Sequence, residues 1–129
     1  MAGFSDFLET KVLQHVFGAS AYSAPSTLYI SLYTAAPTDS GGGTEVSTSG
    51  TAYARQSGAF TVTGNTASNT ANIEYATATA NYGTVVAMGI HDAATGGNLL
   101  AYGSLTTSKS VSSGDVFRFN ASAIDITLT

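Results

Sequence analysis

Gly83–Leu105, GTVVAMGIHDAATGGNLLAYGSL, holds two apolar runs, Val85–Ile90 and Leu99–Leu105, joined by the turn-rich tract Asp92–Asn98. Each run is too short for a free-standing helix and carries β-branched or aromatic residues, so the stretch reads as a β-hairpin. No other segment is apolar on both alternating sets: Val85, Ala87 and Gly89 against Val86, Met88 and Ile90, then Leu99 and Ala101 against Leu100 and Tyr102. A strand apolar on both faces is covered on both. The hairpin is therefore expected at the centre of the sheet, with the rest of the domain on one face and the N-terminal helix or a neighbouring subunit on the other.

Outward from this centre the chain reads as short strands divided by turns. Leu28, Ile30 and Leu32 alternate with Tyr29, Ser31 and Tyr33, which predicts a strand with its aliphatic set inward and the tyrosines facing out or toward a partner. Further strands are expected at Ala52–Gln56, at Phe60–Thr63 with Phe60 and Val62 inward, and at Asn72–Tyr75 with Ile73 and Tyr75 inward. The last two are separated by the polar tract GNTASNTA. Beyond the hairpin, Lys109–Val111 is expected to pair with Val116–Phe119 across the turn cluster Ser112–Asp115. Ile124, Ile126 and Leu128 then alternate with Asp125 and Thr127 in a closing strand. The pattern predicts a mainly β fold, an antiparallel β-sandwich with one N-terminal α-helix, as a single domain over residues 1–129 with strands from about 28 to 128.

The helix is expected over about residues 5–17, with Ser5 as N-cap, Asp6 and Glu9 in the first turn and Gly18 as the stop. Phe4, Leu8, Val12 and Val16 recur every fourth residue, and Leu13 and Phe17 widen the stripe. A helix of about a dozen residues is marginal alone in water, so this face must dock on the sheet or on another chain. Thr34–Gly50 has no apolar periodicity and contains Pro37, Asp39 and the run Gly41, Gly42, Gly43. A loop of about 15 such residues is expected to be functional and to order against a neighbour.

Only 9% of the 129 residues are Asp, Glu, Lys or Arg, against roughly 25% in ordinary globular domains. Ser, Thr, Ala and Gly make up about half of the chain and lose little side-chain entropy on being covered. Such a surface suits packing against other subunits. Four scattered basic residues and a net charge of −4 exclude a phosphate-neutralising patch, so no nucleic-acid partner is expected. No cysteine is present, which removes disulfides and thiolate metal sites and fits manufacture in a reducing cytoplasm. Neither a signal peptide nor a membrane-spanning run is read, and the protein is expected to be soluble, with no membrane partner.

The inventory for chemistry is thin, and no catalytic residue, cofactor site or metal site is expected. His91 and Asp92 are adjacent on a strand and point to opposite faces, so they make no ready dyad, and His15 and His91 both read as structural. No serine sits in a Gly-x-Ser-x-Gly elbow, and nothing pairs the acidic side chains as a glycosidase requires. The triple glycine lacks the Lys-Ser/Thr of a phosphate cradle. Asp39 and Asp92 lie in Gly-rich loops, but without calcium-loop spacing they read as ordinary turn residues. The sequon Asn120-Ala121-Ser122 needs a secretory route that the N-terminus does not supply.

Four segments, FSDFLETKVLQHVFG, APSTLYISLYTAAPTDSGGGTEV, YGTVVAMGIHDAATGGNLLAYGSLTTSKSVSSGD and AIDITL, together resemble small virion structural proteins of tailed bacteriophages. The resemblance covers nearly the whole chain in order. Relatives often carry Trp where Tyr82 stands and Pro where Ala76 stands. The resemblance implies a non-enzymatic virion component assembled in the host bacterial cytoplasm. The reading favoured here is a capsid decoration protein, a homotrimer on the major capsid protein that reinforces the head by binding only the assembled lattice. The alternative is a tail or tail-fibre component whose partners are other tail proteins. A carbohydrate-binding sandwich using Tyr22, Tyr29, Tyr33 and Tyr53 is the reading from another class. Under the virion readings, the expected interface residues are Phe4, Leu8, Tyr29, Tyr33, Pro37, Asp39, Gly41, Gly42 and Gly43.

Overall fold

The computed structural model describes residues 2–129, with the Gly83–Leu105 hairpin in the middle of a large sheet. In chain order the elements are β1 (Ala2–Phe4), α1 (Asp6–Phe17), β2 (Leu28–Ala35), β3 (Thr44–Glu45), β4 (Gln56–Gly58), β5 (Phe60–Thr63), β6 (Thr66–Asn69), β7 (Ile73–Glu74), β8 (Gly83–His91), β9 (Leu99–Val111), β10 (Arg118–Phe119) and β11 (Asp125–Thr127). The large sheet has nine strands in the order β3-β2-β8-β9-β1-β11-β6-β5, with β4 also on β2, while β10 and β7 form a two-stranded sheet. Pairing is antiparallel throughout except for β1 on β11.

Register decides which side chains meet. Ile30 lies opposite Ile90, and Ile90 opposite Ala101, while Leu32 lies opposite Met88. This face joins Tyr53, Tyr75, Tyr82, Phe117 and Phe119 in the core. Burying an aliphatic side chain of this size contributes about 1.5–3 kcal/mol. Tyr75 sits at the aromatic centre, stacked on Tyr53 at 6.0 Å and edge-on to Phe117 at 5.8 Å. Its hydroxyl donates to the Ile30 carbonyl at 2.7 Å, so the ring is buried without an orphaned polar atom. The small sheet thereby packs over the large one, giving the sandwich-like layering expected of the sequence.

β4 lies on β2 and β5 lies on β6, yet only Ala59 separates them. One bent run therefore connects the two ends of the large sheet, as strands do at a sandwich corner.

Several expectations are corrected. β1 was not foreseen, nor was β6, which falls in the polar tract GNTASNTA. Residues 52–55 are not strand, and pairing on β2 begins at Gln56. Lys109–Val111 pairs with Gly83–Val85 rather than with Val116–Phe119, because β8 is long enough to extend the hairpin past the register shift between Val85 and Ala87. Arg118 and Phe119 instead pair with Glu74 and Ile73. Val62, expected inward, is 71% exposed, because β5 ends its sheet. The loop expected to wait for a neighbour folds onto its own chain: Thr38 and Gly41 bridge, β3 pairs with β2, and Val46 is buried.

Candidate functional site

α1 begins as its residues predict. The Ser5 side chain accepts from Leu8 N–H, and Asp6 and Glu9 occupy the first turn, where the helix dipole favours acidic groups. The cap is also tied to the sheet: Ser5 Oγ donates to the Leu99 carbonyl, and Ser5 N–H to the Leu100 carbonyl at 2.8 Å. One flank of the helix is occupied by the returning chain, with Phe7 edge-on to Tyr22 at 6.4 Å and His15 Nδ1 accepting from Tyr22 N–H at 3.0 Å. Among the described residues the other flank is bare. No residue of α1 is buried, and Leu13, Val16 and Phe17 are 58%, 61% and 82% exposed. The dozen-residue helix thus leaves part of its own apolar stripe uncovered within the chain.

At the N-terminal end of α1 an open cavity of about 560 Å³ is lined by Asp6, Tyr33, Asp39, Gly41, Gly42 and His91 among others. The expected interface residues divide here. Asp39 is exposed, with its carboxylate accepting from the Tyr102 hydroxyl and its carbonyl accepting from Asp6 N–H at 2.8 Å. Gly42 and Gly43 are exposed and Gly41 partly so. Gly43 has φ +73°, and a Cβ there would meet the Ala35 carbonyl at 2.7 Å, so the position demands glycine. Phe4 packs against the core partly buried, and Leu8 and Tyr29 are half-buried. Tyr33 and Pro37 are corrected: both are buried. The Tyr33 ring crosses Gly89, the only residue small enough to sit beneath it, and stacks 6.4 Å from His91. Burial of Tyr33 and Tyr53 likewise removes two of the four tyrosines from any sugar-stacking surface.

Beneath the cavity lies a polar network that the sequence did not signal. Arg55 grips Glu45 through Nε and Nη2, both at 2.9 Å, and Tyr53 donates to the same carboxylate at 2.7 Å. Arg55 Nη1 donates to the carbonyls of Ala93 at 3.0 Å and Gly96 at 2.9 Å, which pins the hairpin turn to β3. Burial alone would raise the Glu45 carboxyl, but the hydrogen bonds from Arg55 and Tyr53 outweigh it and hold it below the usual range. Burial and the bond to Glu45 push the Tyr53 hydroxyl well up. His91 Nε2 lies 2.8 Å from Ser31 Oγ, while its Nδ1 has no partner among the described residues. Burial, then the Arg55 charge, lowers the His91 ring to about 4, so it is neutral at pH 7. Asp92 turns away and accepts from Asn98 N–H and Nδ2 at 2.7 and 2.9 Å.

These groups brace loops against a sheet, and apart from His91 Nδ1 their buried polar atoms are bonded to one another or to backbone. Among the described residues no three His, Asp or Glu side chains gather as a metal site would need, and no helix is long and apolar enough to cross a membrane. The family model described as Gp80, Podophage GP4 fiber I protein gp80, matches residues 3–127. No curated protein matches the chain. The match spans almost all of the sequence, and the chain belongs to this family of phage fibre proteins, virion structural components.

Proposed function

We propose that the protein is a non-enzymatic building block of the phage tail or its fibres, held by its neighbours through the bare flank of α1 and the loops beside it. The observation that carries this reading is the fibre description of a family matching residues 3–127. It favours the tail alternative over the capsid decoration to which the sequence reading gave first place. The exposed Leu13, Val16 and Phe17 support it physically, since removing such apolar area from water is worth about 25 cal/mol per Å². With only 9% of its residues charged, the chain adds little desolvation cost when its surface is covered. The partners are further copies of the chain, in the homotrimer anticipated above, together with other tail proteins.

Quantitative mass spectrometry of purified virions and of tail-less heads from the same phage tests the assignment. A few copies per virion and none on tail-less heads is the expected result. Hundreds of copies retained on tail-less heads would return the protein to the capsid.

A further inference from the structure

We infer that β5 is a self-pairing edge, and that two copies of this chain join through it in an antiparallel, two-fold arrangement centred on Thr61. This goes beyond the tail assignment and does not rest on it.

β5 terminates the large sheet, and its only strand partner among the described residues is β6. The direction of its free backbone groups follows from its neighbours. Thr70 N–H donates to the Ala59 carbonyl at 3.0 Å, whereas Asn69 N–H donates away from β5, to Ile124, at 3.3 Å. With Thr61 opposite Ser68 and Val62 opposite Ala67, the alternation of an antiparallel ladder turns Thr61 and Thr63 toward β6. The N–H and C=O groups of Phe60 and Val62 therefore point off the sheet, and none of them has a partner among the described residues.

Natural edges are normally blunted by lysine, proline, a bulge or a covering loop. Phe60-Thr61-Val62-Thr63 has no charge and no proline, pairs with β6 without a register shift, and leaves Val62 71% exposed. A partner strand needs the same parity of outward groups, no charge opposite an uncharged edge, and an apolar side chain to meet Val62. A second β5 meets all three requirements. Rotated about Thr61, it sets Phe60 opposite the other copy's Val62 and Val62 opposite its Phe60, so the outward groups of both residues pair in each direction. The contact is isologous and closes on itself. It is also small, so it adds to other contacts in an assembly rather than replacing them.

The chain has no cysteine, so one introduced thiol reports one contact. In this geometry the two Thr61 residues form a non-hydrogen-bonded pair with Cα atoms about 4.5 Å apart, within disulfide reach. The two Thr63 residues lie about 13 Å apart, out of reach. Under mild oxidation Thr61→Cys is expected to give a two-chain product, with Thr63→Cys roughly tenfold or more slower. Sedimentation of the unmodified chain against Val62→Lys is the second readout. The lysine side chain projects into solvent and the β6 ladder is untouched, so circular dichroism stays unchanged while the mass of the largest species halves. Equal cross-linking at positions 61 and 63, or a mass indifferent to Val62→Lys, overturns the inference.

Discussion

His91 makes stability depend on pH through a single side chain. The residue is 4% exposed, and its folded value of about 4 lies below the ordinary 6.5. Between those limits the unfolded chain binds a proton that the folded chain refuses, so the neutral ring's contribution is full above pH 6.5 and is lost as pH falls toward 4. The loss is on the order of 3 kcal/mol. Denaturant titrations from pH 7 to 4.5 are expected to show it in the parent chain and not in His91→Gln; an identical slope in the variant would refute the assignment. Glu45 acts in the same direction at lower pH, its contribution being lost only as its depressed carboxyl protonates. Gly89→Ala is expected to cost about 1–3 kcal/mol by overpacking, since its Cβ would meet Ser31 Oγ at 2.7 Å and the Tyr33 ring at 2.9 Å. A denaturation midpoint equal to the parent's would show that Tyr33 moves aside freely. The alternation of Leu28–Tyr33 identified the strand but not the fate of Tyr33. That fate depends on Gly89 lying diagonally across the ladder, a matter of register that no local pattern carries.

α1 was legible to its ends because capping is local chemistry. Ser5, Asp6, Glu9 and Gly18 are sequence neighbours of the backbone groups they serve. What covers the helix was not legible, because an apolar stripe looks the same whether it faces a sheet, a second subunit or water. Ser5→Ala should cost about 1–2 kcal/mol, seen as a lower midpoint for the whole chain, because the same hydroxyl caps α1 and bonds to Leu99. Leu13→Ser with Val16→Ser is expected to shift the stability of the isolated chain by less than about 0.5 kcal/mol per site, as at ordinary surface positions. The same pair should markedly reduce incorporation into tails, measured as copies per virion. Full incorporation would show that the bare flank is not where neighbours attach. β6 escaped notice for the opposite reason: Thr66, Ala67 and Ser68 show no apolar alternation and enter the sheet through backbone pairing with β5 and β11.

Across the molecule, the hairpin announced itself as the centre of the sheet because both of its alternating sets are apolar. The closure of the sheet was hidden, since it depends on pairings between residues far apart in the chain. The low charge suits head and tail alike, so the proposal of a tail position rests on the family match and not on composition. β1 is the least conspicuous structural element, yet it lies between β9 and β11 and joins β2-β8-β9 to β11-β6-β5. Ala2 pairs with Gly103 on one side and Ile126 on the other, and Phe4 packs against the core. Removing residues 1–4 therefore leaves β9 and β11 facing each other across a missing strand, with unpaired backbone on both rims, while Ser5 still caps α1. Buried unpaired N–H and C=O groups cost about 1–3 kcal/mol each, so the two halves should no longer unfold as one unit. Hydrogen exchange on the truncated chain is expected to leave the amides of β2, β8 and β9 protected and to expose those of β11, β6 and β5. The aromatic core over β2 and β8 does not need β1, whereas along the hydrogen-bonded path of the sheet β11, β6 and β5 join its centre through β1. Uniform protection would mean that β11 closes directly onto β9 once β1 is gone. Uniform loss would mean that the bent β4–β5 run, and not β1, holds the two halves in one cooperative unit.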